Sequence, residues 1–203
     1  MAKGKFIVFE GIDGCGKGTQ LKLAHSYLWD LSKEIDIYTT REPTRNFKEI
    51  REKMSQDTVA KKDAEWYLDM FVKDRKDHLD SYILPTLKKG THILCDRYKY
   101  STIAYQNCQG IPLDQLIFAH EGLLIPDLTL IFDCPVEVAF KRRKKDGATD
   151  VFEKDIKFQR ELRGKYLTLP HLLNKERIVI INSNRNIAET FAEVKKSLNS
   201  ILH

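Results

Sequence analysis

Gly11-Ile12-Asp13-Gly14-Cys15-Gly16-Lys17-Gly18-Thr19 decides how this chain is read. Before it runs Lys5-Phe6-Ile7-Val8-Phe9-Glu10, an apolar, β-branched and aromatic stretch that predicts a buried strand. After it, Gln20 to Leu28 places apolar residues at helical spacing. A strand, a glycine-rich loop and a helix together form the setting of a phosphate-binding loop. The glycines let backbone N–H groups turn inward around an anion, and the helix aims its positive end at the same point. Lys17 adds a cation for the outer phosphates. The nine residues from Gly11 to Thr19 are therefore the candidate nucleotide-binding residues. The pattern G-x-x-x-x-G-K-[ST] fails only at its last position, where Gly18 replaces the hydroxyl residue that would ligate magnesium; Thr19 offers a hydroxyl one residue later.

Bulk properties narrow the field. The 203 residues suffice for one domain with a full core. A net charge of +5 is modest, and no block of aromatics interleaves with basic residues, so nucleic acid is not the expected partner. Cys15, Cys95, Cys108 and Cys134 form no C-x-x-C pair, which argues for reduced thiols in a cytoplasmic protein rather than a disulfide frame or zinc site. Cys15 lies among loop amides near Lys17, a setting that can lower a thiol pKa, although a small residue in a tight loop is the simpler reading. No apolar run reaches about 18 residues and no secretory leader is read, so no membrane association is expected.

Four more strands are predicted at 35–40, 91–96, 128–133 and 177–181, alternating with helices. The expected fold is α/β, a five-stranded parallel sheet covered by helices on both faces. Helices are expected at 47–54, 63–87, 111–123, 136–145, 155–169 and 186–202, with Asp63 as an N-cap and Pro85 as a kink or end. Ligands of open α/β sheets sit at the carboxyl ends of strands. There Arg41 and Arg45 flank Pro43, whose peptide bond is a candidate for the cis form. Leu68, Phe71 and Arg75 share one helical face, so that Phe71 can stack on a flat ring while Arg75 donates to it. The strand ending in Asp96 has the form of the second signature of phosphate-loop enzymes, in which the carboxylate positions magnesium. Arg97 follows it directly. Ser101, Thr102, Tyr105 and Gln106 fall on a predicted helix that offers hydroxyls and an amide to a base edge. The basic cluster Lys141-Arg142-Arg143-Lys144-Lys145, next to Gly147, suggests a flap over phosphates, about residues 141–153.

These pieces, in this order, resemble the thymidylate kinase family over nearly the whole chain. They are Phe9 to Lys17, Thr40-Arg41-Glu42-Pro43, Phe71-Val72-Lys73-Asp74-Arg75, Asp96-Arg97-Tyr98, Ser101 to Gln106, Pro126 to Leu130, and Phe158…Arg163…Tyr166-Leu167. The resemblance implies a single kinase domain of nucleoside monophosphate kinase type, with a short lid, that passes the γ-phosphate of ATP to dTMP with magnesium. It implies that Lys17 and the loop hold ATP phosphates and that Asp13 approaches the acceptor sugar. Phe71 and Arg75 would bind thymine, with Ser101, Thr102 and Gln106 in the base-recognition segment, and Tyr105 would crowd out a 2′-hydroxyl. Arg97, assisted by Arg41 or Arg45, would meet the acceptor phosphate, and Asp96 would position magnesium. Because Cys15 stands where some members place an arginine, the catalytic cation is expected from the flap, as Arg142 or Arg143. The flap departs from the family in having Val151 after Asp150. The run Gly16 to Gln20 is closer to adenylate kinase, so a kinase of broader or AMP-like specificity is the alternative. A nucleotide-binding protein without activity is the remote one. A homodimer is implied by the resemblance alone.

Overall fold

The computed structural model describes residues 3–56, 63–145 and 156–202. Five strands form one sheet: β1 (Phe6–Glu10), β2 (Ile37–Arg41), β3 (His92–Asp96), β4 (Leu128–Asp133) and β5 (Ile178–Asn182). The order is β2-β3-β1-β4-β5, with every pairing parallel. All five residues of β1 are buried, whereas the edge strands β2 and β5 are partly exposed. That burial is why β1 reads as a continuous apolar run without alternation.

The helices are α1 (Lys17–Leu31), α2 (Lys48–Gln56), α3 (Ala64–His78), α4 (Leu84–Lys88), α5 (Lys99–Cys108), α6 (Leu113–Ala119), α7 (Val136–Lys145), α8 (Ile156–Leu172) and α9 (Ile187–Leu202). α1 packs on α9, while α5 packs on both α3 and α8. With right-handed crossovers these groups cover opposite faces of the sheet. α1 buries Lys17, Gln20, Ala24 and Leu28, a stripe at three- and four-residue spacing. The connection from β3 to β4 passes β1, so the carboxyl ends of β1 and β3 open a crevice at the point where the sheet reverses direction. Phe9 and Asp96 are register partners there.

Several local expectations are corrected. The helix expected over 63–87 contains a π-helical turn, Leu79–Ile83, between α3 and α4. A wider turn ahead of Pro85 accommodates a residue that has no N–H to donate. Asp63 does not cap α3 with its side chain: its backbone is left-handed at φ 65°, and its carboxylate accepts from Lys53 Nζ at 2.7 Å. The helix expected over 111–123 is shorter, Leu113–Ala119. Glu42–Pro43 is cis. Asp146, Gly147, Asp150, Val151 and Glu153, the distal part of the expected flap, lie outside the described residues.

Candidate active site

The phosphate loop is built by close approach. A Cβ on Gly11 would stand 2.6 Å from the Phe132 carbonyl oxygen, and one on Gly14 would stand 2.3 Å from that of Ala139. Both glycines also adopt positive φ, 134° and 84°. Gly14 therefore lets α7 lie directly against the loop and delivers the basic end of that helix to it. Gly16 has φ 96° and starts α1 with no side-chain cap, leaving its first N–H groups to the loop. Lys17 is buried, and Gly18 and Thr19 are exposed on the first turn of α1. A Cβ on Gly18 would meet nothing within 4 Å.

Three cations from distant parts of the chain converge on Asp13. Arg97 Nη2 donates to Oδ1 at 2.6 Å, Lys17 Nζ to Oδ1 at 3.3 Å and Arg143 Nη1 to Oδ2 at 3.2 Å. Burial alone would raise this carboxyl, but Arg97, Lys17 and Arg143 together hold it well below the usual carboxylate range. Arg142, adjacent to Arg143, takes another course: its Nη1 donates to the Cys15 carbonyl at 3.3 Å and its Nη2 to the Ser183 carbonyl at 2.8 Å. Cys15 is fully buried, and burial pushes its thiol up to about 11 despite Lys17. This agrees with the simpler reading of a small residue in a tight loop, since desolvation of the thiolate outweighs the nearby cation.

Arg97 has φ 73°, a left-handed conformation that few residues other than glycine adopt. Its N–H donates to the Phe9 carbonyl at 2.9 Å, and its guanidinium lies 5.5 Å from the Tyr105 ring. Nη1 also donates to the Ser101 and Tyr166 hydroxyls at 2.9 and 3.0 Å. Asp96, at the tip of β3, keeps Oδ1 buried with no hydrogen-bond partner among the described residues. An orphaned carboxylate oxygen beside the phosphate loop fits a hard cation that takes oxygen ligands. Thr19 is exposed on the first turn of α1, and no hydrogen bond among the described residues joins it to Asp96.

Arg75 is buried on α3 in a fixed setting. Its Nε donates to Glu42 Oε2 at 2.6 Å, its Nη2 to Thr102 Oγ1 at 3.1 Å and its Nη1 to His120 Nε2 at 2.8 Å. His120 Nδ1 donates to the Leu116 carbonyl, so the ring is the neutral tautomer whose Nε2 accepts. Burial and the Arg75 charge lower the His120 pKa to about 3. Glu42 Oε1 accepts from His78 Nδ1 at 3.1 Å, which completes a buried network. Phe71 is half-buried one turn from Arg75 and stacks on Tyr67 with centroids 5.7 Å apart. Gln106 Nε2 donates to Gln109, while its Oε1 is buried without a partner among the described residues. Arg41 and Arg45 are exposed at the end of β2 and beyond it.

The sequence reading missed Glu10, Glu42, His120 and Tyr166 as parts of this arrangement. Glu10, Glu42 and Tyr166 lie in the stretches that carry the family resemblance but take no assigned role there, and Glu10 otherwise reads as the polar end of an apolar strand. Arg163, which binds both oxygens of Asp133 at 2.6 and 2.9 Å, ties α8 to the end of β4 and stands outside the cluster around Asp13.

Residues 9–194 match the family model for thymidylate kinase. The chain is 35% identical over 197 residues to a probable thymidylate kinase of Pyrococcus abyssi, spanning 95% of this chain and 94% of that protein. It is 38% identical over 207 residues to the thymidylate kinase of Syntrophus aciditrophicus, spanning 95% and 93%. The crystal structure of thymidylate kinase from Ehrlichia chaffeensis matches with a TM-score of 0.77 at 26% identity, over 97% of this chain and 99% of that one. A phosphate loop, a cation cluster at the crevice of a five-stranded parallel sheet and this likeness over nearly the full length agree: the chain belongs to the thymidylate kinase family of phosphate-loop nucleoside monophosphate kinases.

Proposed function

We propose that the protein transfers the γ-phosphate of ATP to dTMP, giving dTDP and ADP. The observation that carries this reading is the convergence of Lys17, Arg97 and Arg143 on one carboxylate, Asp13. Three cations gathered from the phosphate loop, the end of β3 and the end of α7 suit two polyanions meeting between them. The acceptor phosphate oxygen is already an adequate nucleophile at neutral pH, so no covalent enzyme intermediate is required. The protein's work is to align donor and acceptor and to offset charge on the moving phosphoryl group.

In this reading Lys17 and the loop amides from Gly11 to Thr19 hold the donor phosphates. Arg97 receives the acceptor phosphate, with Arg41 or Arg45 at the rim. Arg143 is the α7 cation that reaches the transferring group, and Arg142 braces the loop through its two carbonyl contacts. Asp13, which already orders all three cations, approaches the acceptor sugar. Phe71 stacks on the base and Arg75 reads its edge, its guanidinium held by Glu42, Thr102 and His120; Gln106 Oε1 is a spare acceptor nearby in the chain. Tyr105, lying against Arg97, limits space at the sugar 2′ position. Magnesium would be held by Asp96, with the Thr19 hydroxyl, one residue after Gly18, as a further candidate, and it would neutralise charge on the donor phosphate oxygens.

Among the described residues no helix is long and apolar enough to cross a membrane. A cytoplasmic homodimer is the assembly we propose by likeness to the family; Phe118, 73% exposed on α6, is an apolar residue that such a contact would cover. Sedimentation as a monomer at micromolar concentration would contradict it.

A coupled assay of ADP release with dTMP, dUMP, AMP and CMP as acceptors tests the reaction. A clear preference for dTMP is expected. A preference for AMP would favour a kinase of adenylate type, which the Gly16 to Gln20 run supports. ATP binding without acceptor-dependent ADP release would refute the enzymatic reading.

A further inference from the structure

Glu10 is the last residue of β1 and is fully buried, and none of its side-chain hydrogen bonds among the described residues goes to the phosphate loop that follows it. Its two oxygens divide the work. Oε1 accepts the backbone N–H groups of Tyr98 and Ser101 at 2.8 and 3.1 Å. These are donors at the start of α5, which has no cap of its own, so a carboxylate from β1 takes that place. Oε2 accepts the Ser101 hydroxyl at 2.6 Å and the Tyr166 hydroxyl at 3.2 Å. The two hydroxyls are themselves 2.9 Å apart, and both accept from Arg97 Nη1.

The direction of these hydrogen bonds follows by counting. The Ser101 proton points at Oε2, and the Tyr166 proton points at Oε2 or at the Ser101 oxygen. Neither points at Arg97, so each hydroxyl turns lone pairs toward the guanidinium. Burial outweighs Arg97 and the surrounding donors and raises the Glu10 carboxyl above its ordinary value, while by hydrogen-bond count only the ionised form satisfies four donors with two oxygens.

We propose that Glu10 is a positioning residue for Arg97: its carboxylate sets the direction of the Ser101 and Tyr166 hydroxyls, and these in turn fix the guanidinium that receives the acceptor phosphate. The inference rests on the role given to Arg97 above. Glu10→Gln, nearly identical in shape, separates charge from packing. The amide nitrogen cannot face the two backbone N–H groups, which do not rotate. Turned toward the hydroxyls, it donates to them, and at least one hydroxyl proton is then driven toward Arg97 Nη1. Tyr166→Phe removes one leg of the same relay while leaving Glu10 in place.

The test measures steady-state kinetics for both substrates, with thermal melts, for wild type, Glu10→Gln and Tyr166→Phe, and a crystal structure of Glu10→Gln. One unsatisfied buried donor corresponds to roughly 5- to 150-fold in an equilibrium. We expect kcat/KM for dTMP to fall by about that range in Glu10→Gln and by less in Tyr166→Phe. The KM for ATP should stay within about threefold of wild type, because the two hydroxyls act on Arg97 Nη1, whereas among the described residues the donor loop meets Arg97 at Nη2 through Asp13 alone. A residue that merely supported the phosphate loop would raise the KM for ATP equally, and that result overturns the proposal. So does a Glu10→Gln crystal structure with Arg97 still bonded to both hydroxyls, which can be read even if Glu10→Gln turns over too slowly for kinetics. If wild type itself shows no dTMP-dependent turnover, the kinase reading fails, and the crystal structure alone decides whether Glu10 sets the Arg97 geometry.

Discussion

Arg142 and Arg143 are neighbours on α7 with different partners: Arg142 is bonded to the carbonyls of Cys15 and Ser183, whereas Arg143 reaches the Asp13 carboxylate. Sequence alone left the two equivalent. The geometry separates them, since only Arg143 joins the cluster that contains Lys17 and Arg97. Arg143→Ala is expected to lower kcat by about 10² or more, the scale of losing one aimed cation in a transition state. Arg142→Ala is expected to act mainly on the KM for ATP, with kcat within roughly fivefold, because its partners belong to the loop and to the end of β5. Parallel kinetics of the two variants check this, and a larger kcat loss in Arg142→Ala would reverse the assignment.

Asp13→Asn keeps the shape and removes the charge that gathers three cations. The expected result is a fall in kcat/KM of about 10² with the larger part in kcat, since alignment is lost at the reacting centre. The pH dependence of folding gives a second reading. The native carboxyl is held below its unfolded value, so the stabilisation it contributes is present above the unfolded value near pH 4 and is lost as pH falls through the lower native one. Urea titrations of wild type and Asp13→Asn should therefore converge toward strong acid and diverge toward neutrality.

His120 loses stability in the same direction of pH by a different route, as a base held neutral rather than a carboxyl held charged. Its native pKa is about 3, below the ordinary value near 6.5, so between those limits the unfolded chain binds the extra proton. Native stability should fall on acidification through that window, with a slope of up to about 1.4 kcal/mol per pH unit from this group. His120→Gln should flatten the slope between pH 6 and 4. An unchanged slope would mean that the ring does not stay neutral against Arg75.

Two glycines of the loop should respond in opposite ways. Gly14→Ala places a Cβ against the Ala139 carbonyl at a left-handed φ, so loss of ATP affinity and a lower Tm are expected. Gly18→Ser meets open space in the first turn of α1, and removal of a helical glycine should leave stability equal or raise it by about 0.5 kcal/mol. The added hydroxyl should lower the magnesium concentration needed for half-maximal activity. Titration of magnesium at fixed ATP checks this; an unchanged requirement would mean that position 18 faces away from the metal.

The layout of the sheet was legible because β1, β3 and β4 are buried on both faces and so read as unbroken apolar runs. The phosphate loop was legible because its glycines answer to local backbone demands. Helix ends were harder to read, as at α6, where tertiary packing and not propensity sets the length. The polar networks were hidden for a different reason. Glu10 meets Tyr166 across 156 positions, and Glu42 meets Arg75 across 33, so no local spacing announces either contact. A buried carboxylate is written in sequence as one charged letter at a strand end. Its partners become apparent only when the sheet has brought β1, β2 and β3 side by side.

A crystal structure with dTMP and a non-hydrolysable ATP analogue bound together tests the central claim most directly. The account predicts the acceptor phosphate on the Arg97 guanidinium, the base beside Phe71 and Arg75, and the donor phosphates within the Gly11–Thr19 loop with Arg143 between the two chains of phosphate. Finding dTMP away from Arg97 and Phe71, with Arg143 still on Asp13 and clear of both nucleotides, would contradict it.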